Sequence, residues 1–270
     1  MKKVIYVLLI IVAIVVMAIV LSGCTKNKPE NTAVTIRTSD LKKKSTNTSD
    51  ETNEVEENKA EVNYMEAAEK QMSKPEVGET VAIIKVKNFG EMKFKFFKDI
   101  APKAVENFIT HSKEGYYDGL KFHRIMEEFM IQGGDPEGTG YGGESIWGKG
   151  FGTELDERLV PYRGSLCMAM SSLPDSIGSQ YFITQANYNS NEESYLKQSG
   201  YSNDLISLYK KYGGSIYSLY MKYTVFGQMY EGFDVLDKIA KVEKTYSDSG
   251  ELSKPVEDVI VEKITITEYK

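Results

Sequence analysis

Few side chains in this 270-residue sequence are of types and spacings that carry chemistry. Gly138, Gly140 and Gly143 stand in the spacing G-x-G-x-x-G, which can cradle a dinucleotide pyrophosphate where a strand turns directly into a helix. The residues that follow, Glu144-Ser145-Ile146-Trp147-Gly148-Lys149-Gly150-Phe151-Gly152, are too rich in glycine for that helix. No strand–helix–strand unit surrounds them. The stretch is read as a loop that binds no nucleotide. The two histidines have no cysteine partners at metal spacing, and no Ser/His/Asp constellation stands out. Nothing therefore calls for a metal or another cofactor. Taken alone, Arg124 reads as an arginine paired with a surface carboxylate, Phe129, Met130 and Phe182 as core, and Gln132 as a satisfied polar residue.

The elements that must position these residues are legible from periodicity. Val81–Lys87 and Met92–Phe97 read as a hairpin around Asn88-Phe89-Gly90-Glu91, and the second arm alternates lysine with apolar residues as a half-buried strand does. Ala101-Pro102 opens an amphipathic helix with Ala104, Val105, Phe108 and Ile109 on one face, ended by Gly115. Further strands are expected over Leu120–Ile125, Gly164–Met170, Gln180–Gln185 and Thr224–Met229, with a last one through Ile264-Thr265-Ile266-Thr267. A second helix is expected over about Phe233–Lys241. Many strands with two main helices point to a mainly β fold, a closed antiparallel barrel capped at its ends.

Four blocks then narrow the reading. Phe122-His123-Arg124-Ile125 with Phe129-Met130-Ile131-Gln132-Gly133-Gly134-Asp135 closely resembles the signature of the cyclophilins, barrel-type peptidyl-prolyl isomerases. Gly138-Thr139-Gly140-Tyr141-Gly142-Gly143-Glu144-Ser145, Gly178-Ser179-Gln180-Tyr181-Phe182-Ile183 and Val225-Phe226-Gly227 resemble that family's next three segments in order. Together they cover essentially all of residues 79–270. The resemblance implies an eight-stranded barrel capped by two helices and an enzyme that accelerates rotation about X–Pro bonds. It implies Arg124 as the catalytic donor. The positions matching Phe129, Met130, Phe182 and Leu219 line the proline pocket, those matching Gln132 and Gln180 hold the arginine and the peptide backbone, and Ala169 and Tyr223 complete the substrate-binding set. Strand alternation would put Phe122 and Arg124 on one face and His123, with a structural role, on the other.

The sequence departs from the family in places. Tyr223 stands where many members have His, Met170 where many have Asn, and Ser171–Ile177 is one residue longer than the usual loop. The Trp that aids cyclosporin binding in many members falls near Ser218. Residues from Asn187 to about Tyr217 replace a much shorter connection. Leu205, Leu208, Tyr209 and Tyr212 follow helical spacing there, closed by Gly213-Gly214, so this insertion is expected to carry a helix packed against the barrel.

The N-terminus sets the compartment. Met1-Lys2-Lys3 precedes an unbroken apolar run, Val4–Leu21, and then Leu21-Ser22-Gly23-Cys24, which resembles the lipobox of bacterial lipoproteins. Residues 1–23 are read as a signal peptide and Cys24 as the lipidated N-terminus, held by two acyl chains. The alternative is an uncleaved helix. Both place the rest outside the cytoplasm. Cys167, the other cysteine, lies in an apolar stretch and is read as a small buried side chain. Residues 24–78 are read as a mostly disordered linker with a short helix near Tyr64–Lys70, and 79–270 as the isomerase domain. The formal net charge of −6 leaves no electrostatic footprint for nucleic acid. The expected partners are proline-containing segments of unfolded or exported proteins and, through the anchor, the cell membrane; the domain is expected to act as a monomer. The rival class is a proline-binding or scaffold module of the envelope without turnover.

Overall fold

The hairpin expected around Asn88–Glu91 forms as β1 (Thr80–Val86) and β2 (Gly90–Phe96) in the computed structural model, which describes residues 62–270. The expected signal peptide, Cys24 and most of the expected linker lie outside the described residues. The remaining strands of the main sheet are β3 (Arg124–Met126), β4 (Met130–Gly133), β5 (Ser165–Met168), β6 (Tyr181–Thr184) and β7 (Val225–Glu231). After them come β8 (Lys244–Tyr246) and β9 (Leu252–Pro255), a separate two-stranded hairpin, and β10 (Val261–Glu268). The eight-stranded sheet runs β10-β1-β2-β7-β5-β6-β4-β3, with every neighbouring pair antiparallel.

The strand ladder stops short of the expected closure. The sheet ladder has two ends, β10 and β3. What crosses between them is an isolated bridge, Lys121↔Ile260, with Val261 N donating to Leu120 O at 2.7 Å and Phe122 N to Val259 O at 2.9 Å. The strand expected over Leu120–Ile125 is thereby split in two. This split has a consequence for side-chain direction. Phe122 and Ile125 both point into the main core, so the two-residue alternation slips between them. Phe122 and Arg124 do not share a face.

Two helices cap the core as expected. α2 (Pro102–Lys113) has proline in its first turn and no side-chain cap of its own. A distant carboxylate does that work instead: Lys103 N and Ala104 N donate to Glu154 at 3.0 and 2.9 Å, satisfying two amides that a helix start leaves open. Its buried face sets Phe108 against Tyr117, Tyr181 and Phe226, with ring centroids 5.2–5.3 Å apart. A fully buried phenylalanine of this kind contributes about 1.5–3 kcal/mol of transfer free energy, and Phe108→Ala is the single change that would most damage this face. α6 (Phe233–Ala240) follows Gly232, whose φ of 98° suits glycine, and buries Val235, Leu236 and Ile239 in the same core.

A third layer was only partly legible. α1 (Tyr64–Met72) is docked on the outside of β2 and β7 through a polar residue. Buried Gln71 donates to Val160 O at 2.6 Å and to Gln228 Oε1 at 3.1 Å, and accepts from Val160 N at 3.0 Å. Lys95 donates to Lys70 O and Ser73 Oγ at 2.6 and 3.0 Å, closing the helix's carboxyl end. Lys95 is thus covered, although lysine–apolar alternation marked it as solvent-facing, and burial pushes its ammonium pKa down. The folded part therefore begins before residue 79. The expected insertion helix is α4 (Asn203–Tyr212), capped by the Ser202 hydroxyl and ended at Gly213. It is flanked by α3 (Glu193–Gln198) and α5 (Ile216–Leu219). Leu205, Leu208 and Tyr209 pack with Ala68 of α1 and with Val160 and Tyr162.

Candidate functional site

The glycine loop contains a cradle for an anion, and the protein fills it itself. The Asp135 carboxylate accepts from Glu137 N at 2.8 Å, Thr139 N at 3.0 Å and Gly140 N at 2.6 Å. Burial disfavours its charge, but the amides of Glu137, Gly140, Gly142 and Thr139 outweigh that and hold its pKa below the ordinary value. A side chain on Gly142 would collide with that same carboxylate, and one on Gly143 with Ser179 Oγ. The glycines are there to wrap a loop around Asp135. His123, expected to be structural, lies beside Gly140; burial keeps its imidazole pKa low, with Asp135 opposing.

The strand register assembles the expected site. Arg124 on β3 lies opposite Gln132 on β4, and Gln132 opposite Phe182 on β6. Three residues far apart in sequence thus form one row across three strands, close enough for their side chains to interact. Polar contacts continue along the row. Arg124 Nη1 donates to Gln132 Oε1 at 3.4 Å, Gln132 Nε2 to Gln180 Oε1 at 2.9 Å, and Gln180 Nε2 to Gly142 O at 2.8 Å. The loop held by Asp135 is therefore the far anchor of the chain that leads to Arg124.

Beside this row is an apolar patch. Met130, Phe182 and Leu219 are buried together with Cys167 and Val225, and Phe129, Ala169 and Tyr223 pack on them from the edge. Tyr223 stands edge-on to Phe182, with ring centroids 5.4 Å apart. The Arg124 guanidinium lies 5.8 Å from the Phe129 ring centre. All nine expected site residues thus meet at one place, including Leu219 across the insertion. Cys167, read as a buried small side chain, is wholly buried there, and its thiol pKa is pushed up. A cavity of about 1460 Å³ between α1, β2 and α2 is lined by none of them. A smaller one of about 310 Å³ adjoins Phe129 and is walled by Tyr188, Tyr209 and Ser218 of the insertion region.

Arg124 is also paired with a carboxylate, as the residue read alone suggested, and it is the identity of that carboxylate that sequence reasoning missed. Its Nε and Nη2 donate to the two carboxylate oxygens of Glu251 at 2.6 and 2.8 Å, a bidentate pair. Nη2 also lies 3.1 Å from Met126 Sδ. Glu251 ends the turn between β8 and β9, 127 residues from Arg124. Ser247-Asp248-Ser249-Gly250 is a turn signal that could have placed the hairpin, but nothing local could have aimed its carboxylate.

The profile of the family "Cyclophilin type peptidyl-prolyl cis-trans isomerase/CLD" matches residues 81–266. A Staphylococcus epidermidis protein named "Putative peptidyl-prolyl cis-trans isomerase" is 43% identical over 199 residues, covering 73% of this chain and 98% of that protein. A Staphylococcus aureus protein of the same name is 43% identical over 189 residues, covering 70% and 92%. The crystal structure of a Cryptosporidium parvum cyclophilin type isomerase, in the presence of the dipeptide Ala-Pro, is similar with a TM-score of 0.54 and 33% identity, covering 70% of this chain and 99% of that one. With a family profile over residues 81–266 and relatives 43% identical across most of their length, the chain belongs to the cyclophilin-type peptidyl-prolyl cis-trans isomerases.

Proposed function

We propose that this isomerase turns X–Pro bonds in exported proteins outside the cytoplasm, tethered to the membrane through a lipidated Cys24. Rotation about a peptide bond forfeits amide resonance, a barrier of about 18–20 kcal/mol, and only X–Pro bonds populate both isomers appreciably. In the twisted state the proline nitrogen becomes pyramidal and its lone pair localises. A guanidinium N–H close to that nitrogen stabilises it more than it does the planar ground state, which is the condition for acceleration. The observation that carries this reading is Arg124. Its Nη1 edge, whose neighbours are Gln132 Oε1 at 3.4 Å and Met130 Sδ at 3.8 Å, stands at the apolar patch with donor capacity in hand.

In this reading the pyrrolidine ring seats on Met130, Phe182 and Leu219, with Phe129 and Tyr223 at its rim and Ala169 beside it. Gln132 and Gln180 hold the arginine and the substrate backbone. The Ala-Pro dipeptide of the Cryptosporidium crystals supports a proline-containing ligand. Support for the location is the sequence around Leu21–Cys24. Two measurements test the proposal. Full-length protein in detergent should accelerate isomerisation of a proline tetrapeptide; binding without acceleration would favour the module reading. Mass spectrometry of the native protein should find Cys24 N-terminal and acylated, whereas an intact Met1 with a free thiol would remove the anchor.

A further inference from the structure

We propose that Glu251 is a positioning residue of the isomerase, holding the Arg124 guanidinium by its back edge so that the opposite edge faces the imide. The inference rests on the reading of Arg124 as the catalytic donor. A guanidinium carries five N–H donors in a planar fork. Glu251 takes Nε and Nη2, leaving Nη1 as the edge turned to Met130 and Gln132. The remaining contacts of Arg124, the Met126 and Met130 sulfurs and a 3.4 Å bond to Gln132, are weak or long. Without Glu251, nothing of comparable strength among the described residues fixes the rotation of the guanidinium about its long stem.

Glu251 is itself fixed. Ser247 N donates to Glu251 O at 2.8 Å, and Glu251 N donates to Ser247 Oγ at 3.3 Å, so the N–H and the C=O of Glu251 are both tied to one serine. The β8–β9 ladder stands behind that turn. Both side chains of the pair are only about one-third exposed, which limits the competition from water that makes open surface pairs weak. A carboxylate this well placed has a cost: it neutralises part of the charge that Arg124 offers the localising lone pair. The geometry eases the conflict, because Glu251 takes Nε and Nη2 and leaves Nη1 at Met130 and Gln132, although Nη2 also lies against Met126 Sδ, which packs on the same cluster. Orientation is gained on the edge that reacts.

The test is the steady-state kinetics of full-length Glu251→Gln and Glu251→Asp in detergent, with kcat and KM measured separately on a proline tetrapeptide. Glu251→Gln should lower kcat by about tenfold or more, as misalignment of a catalytic group does, with KM and thermal unfolding little changed. Glu251→Asp, which keeps the charge on a shorter arm, should recover part of the loss. In an Arg124→Ala background Glu251→Gln should cost nothing further. An unchanged kcat would reduce Glu251 to a fold contact, and a raised kcat would make it a competitor of the substrate; either overturns the inference. If Arg124→Ala alone keeps full activity, the reading of Arg124 fails first. If that variant is inactive while Glu251→Gln is not, only the role of Glu251 fails.

Discussion

Asp135 and Glu251 are both carboxylates enclosed by donors, yet they do opposite kinds of work. Asp135 gathers backbone amides from residues two to seven positions along its own chain. Its partners are local and its effect is to fix one loop. Glu251 gathers a single guanidinium from 127 residues away, and its proposed effect is on the group read here as the catalytic donor. Backbone amides of one loop that converge on a buried carboxylate fix the path of that loop, so their carboxylate is a matter of folding. A guanidinium at the edge of an open patch has water as an alternative, so its carboxylate is a matter of orientation. The difference predicts that removing one costs stability and removing the other costs rate.

The sharpest way to break that distinction is at Arg124. Arg124→Ala should lower kcat/KM by about two orders of magnitude or more, the size of losing one preorganised donor. Folding should survive, since the residue is outside the buried clusters. Arg124→Lys should recover only part of the activity, because a point charge cannot reproduce a planar fork. A folded, fully active Arg124→Ala variant would leave Glu251 as structural as Asp135.

Next in size is Asp135→Ala, expected to destabilise the protein by roughly 1–3 kcal/mol by removing the shared acceptor of three part-buried loop amides, measured by denaturant unfolding. Its effect on kcat should be smaller than that of Arg124→Ala, reaching the site only through Gly142 and Gln180. The pH dependence follows from the sign of the shift. Asp135 has a folded pKa below its ordinary 3.8, so the unfolded chain binds the proton first. The stabilisation is present above about pH 4 and is lost as pH falls through the folded value. Asp135→Asn should flatten that part of the acid unfolding curve. The smallest expected effect is at Gln71, a neutral buried hub far from both carboxylates. Gln71→Ala should cost about 1–3 kcal/mol by leaving the Val160 N–H without its acceptor, with kcat unchanged. A drop in kcat there would mean that α1 docking reaches the site, blurring the line between folding and orientation.

What could be read in advance divides along the same line. The hairpin at Asn88–Glu91 and the helices after Ala101 and Gly232 follow from periodicity and breakers, which are local. The short strand β4 was invisible to pattern, because four residues buried almost throughout give no alternation to detect. Lys95 was misjudged because α1, not its own strand, covers it. Phe122 and Arg124 were placed on one face because a bridge at Lys121 interrupts a strand that the sequence presents as continuous.

By itself the sequence determined the family, through ordered motifs with Arg124, Gln132 and Phe182 inside them, and with that the chemistry of the site. It also determined that the glycines at 138, 140 and 143 form a loop. Only the tertiary structure decided what those glycines surround, where Gln71 points, and which carboxylate meets Arg124. The physical reason is range. Backbone propensity and side-chain spacing act over a turn or a strand, whereas an ion pair between residues 127 positions apart exists only after β8 and β9 have folded against β3.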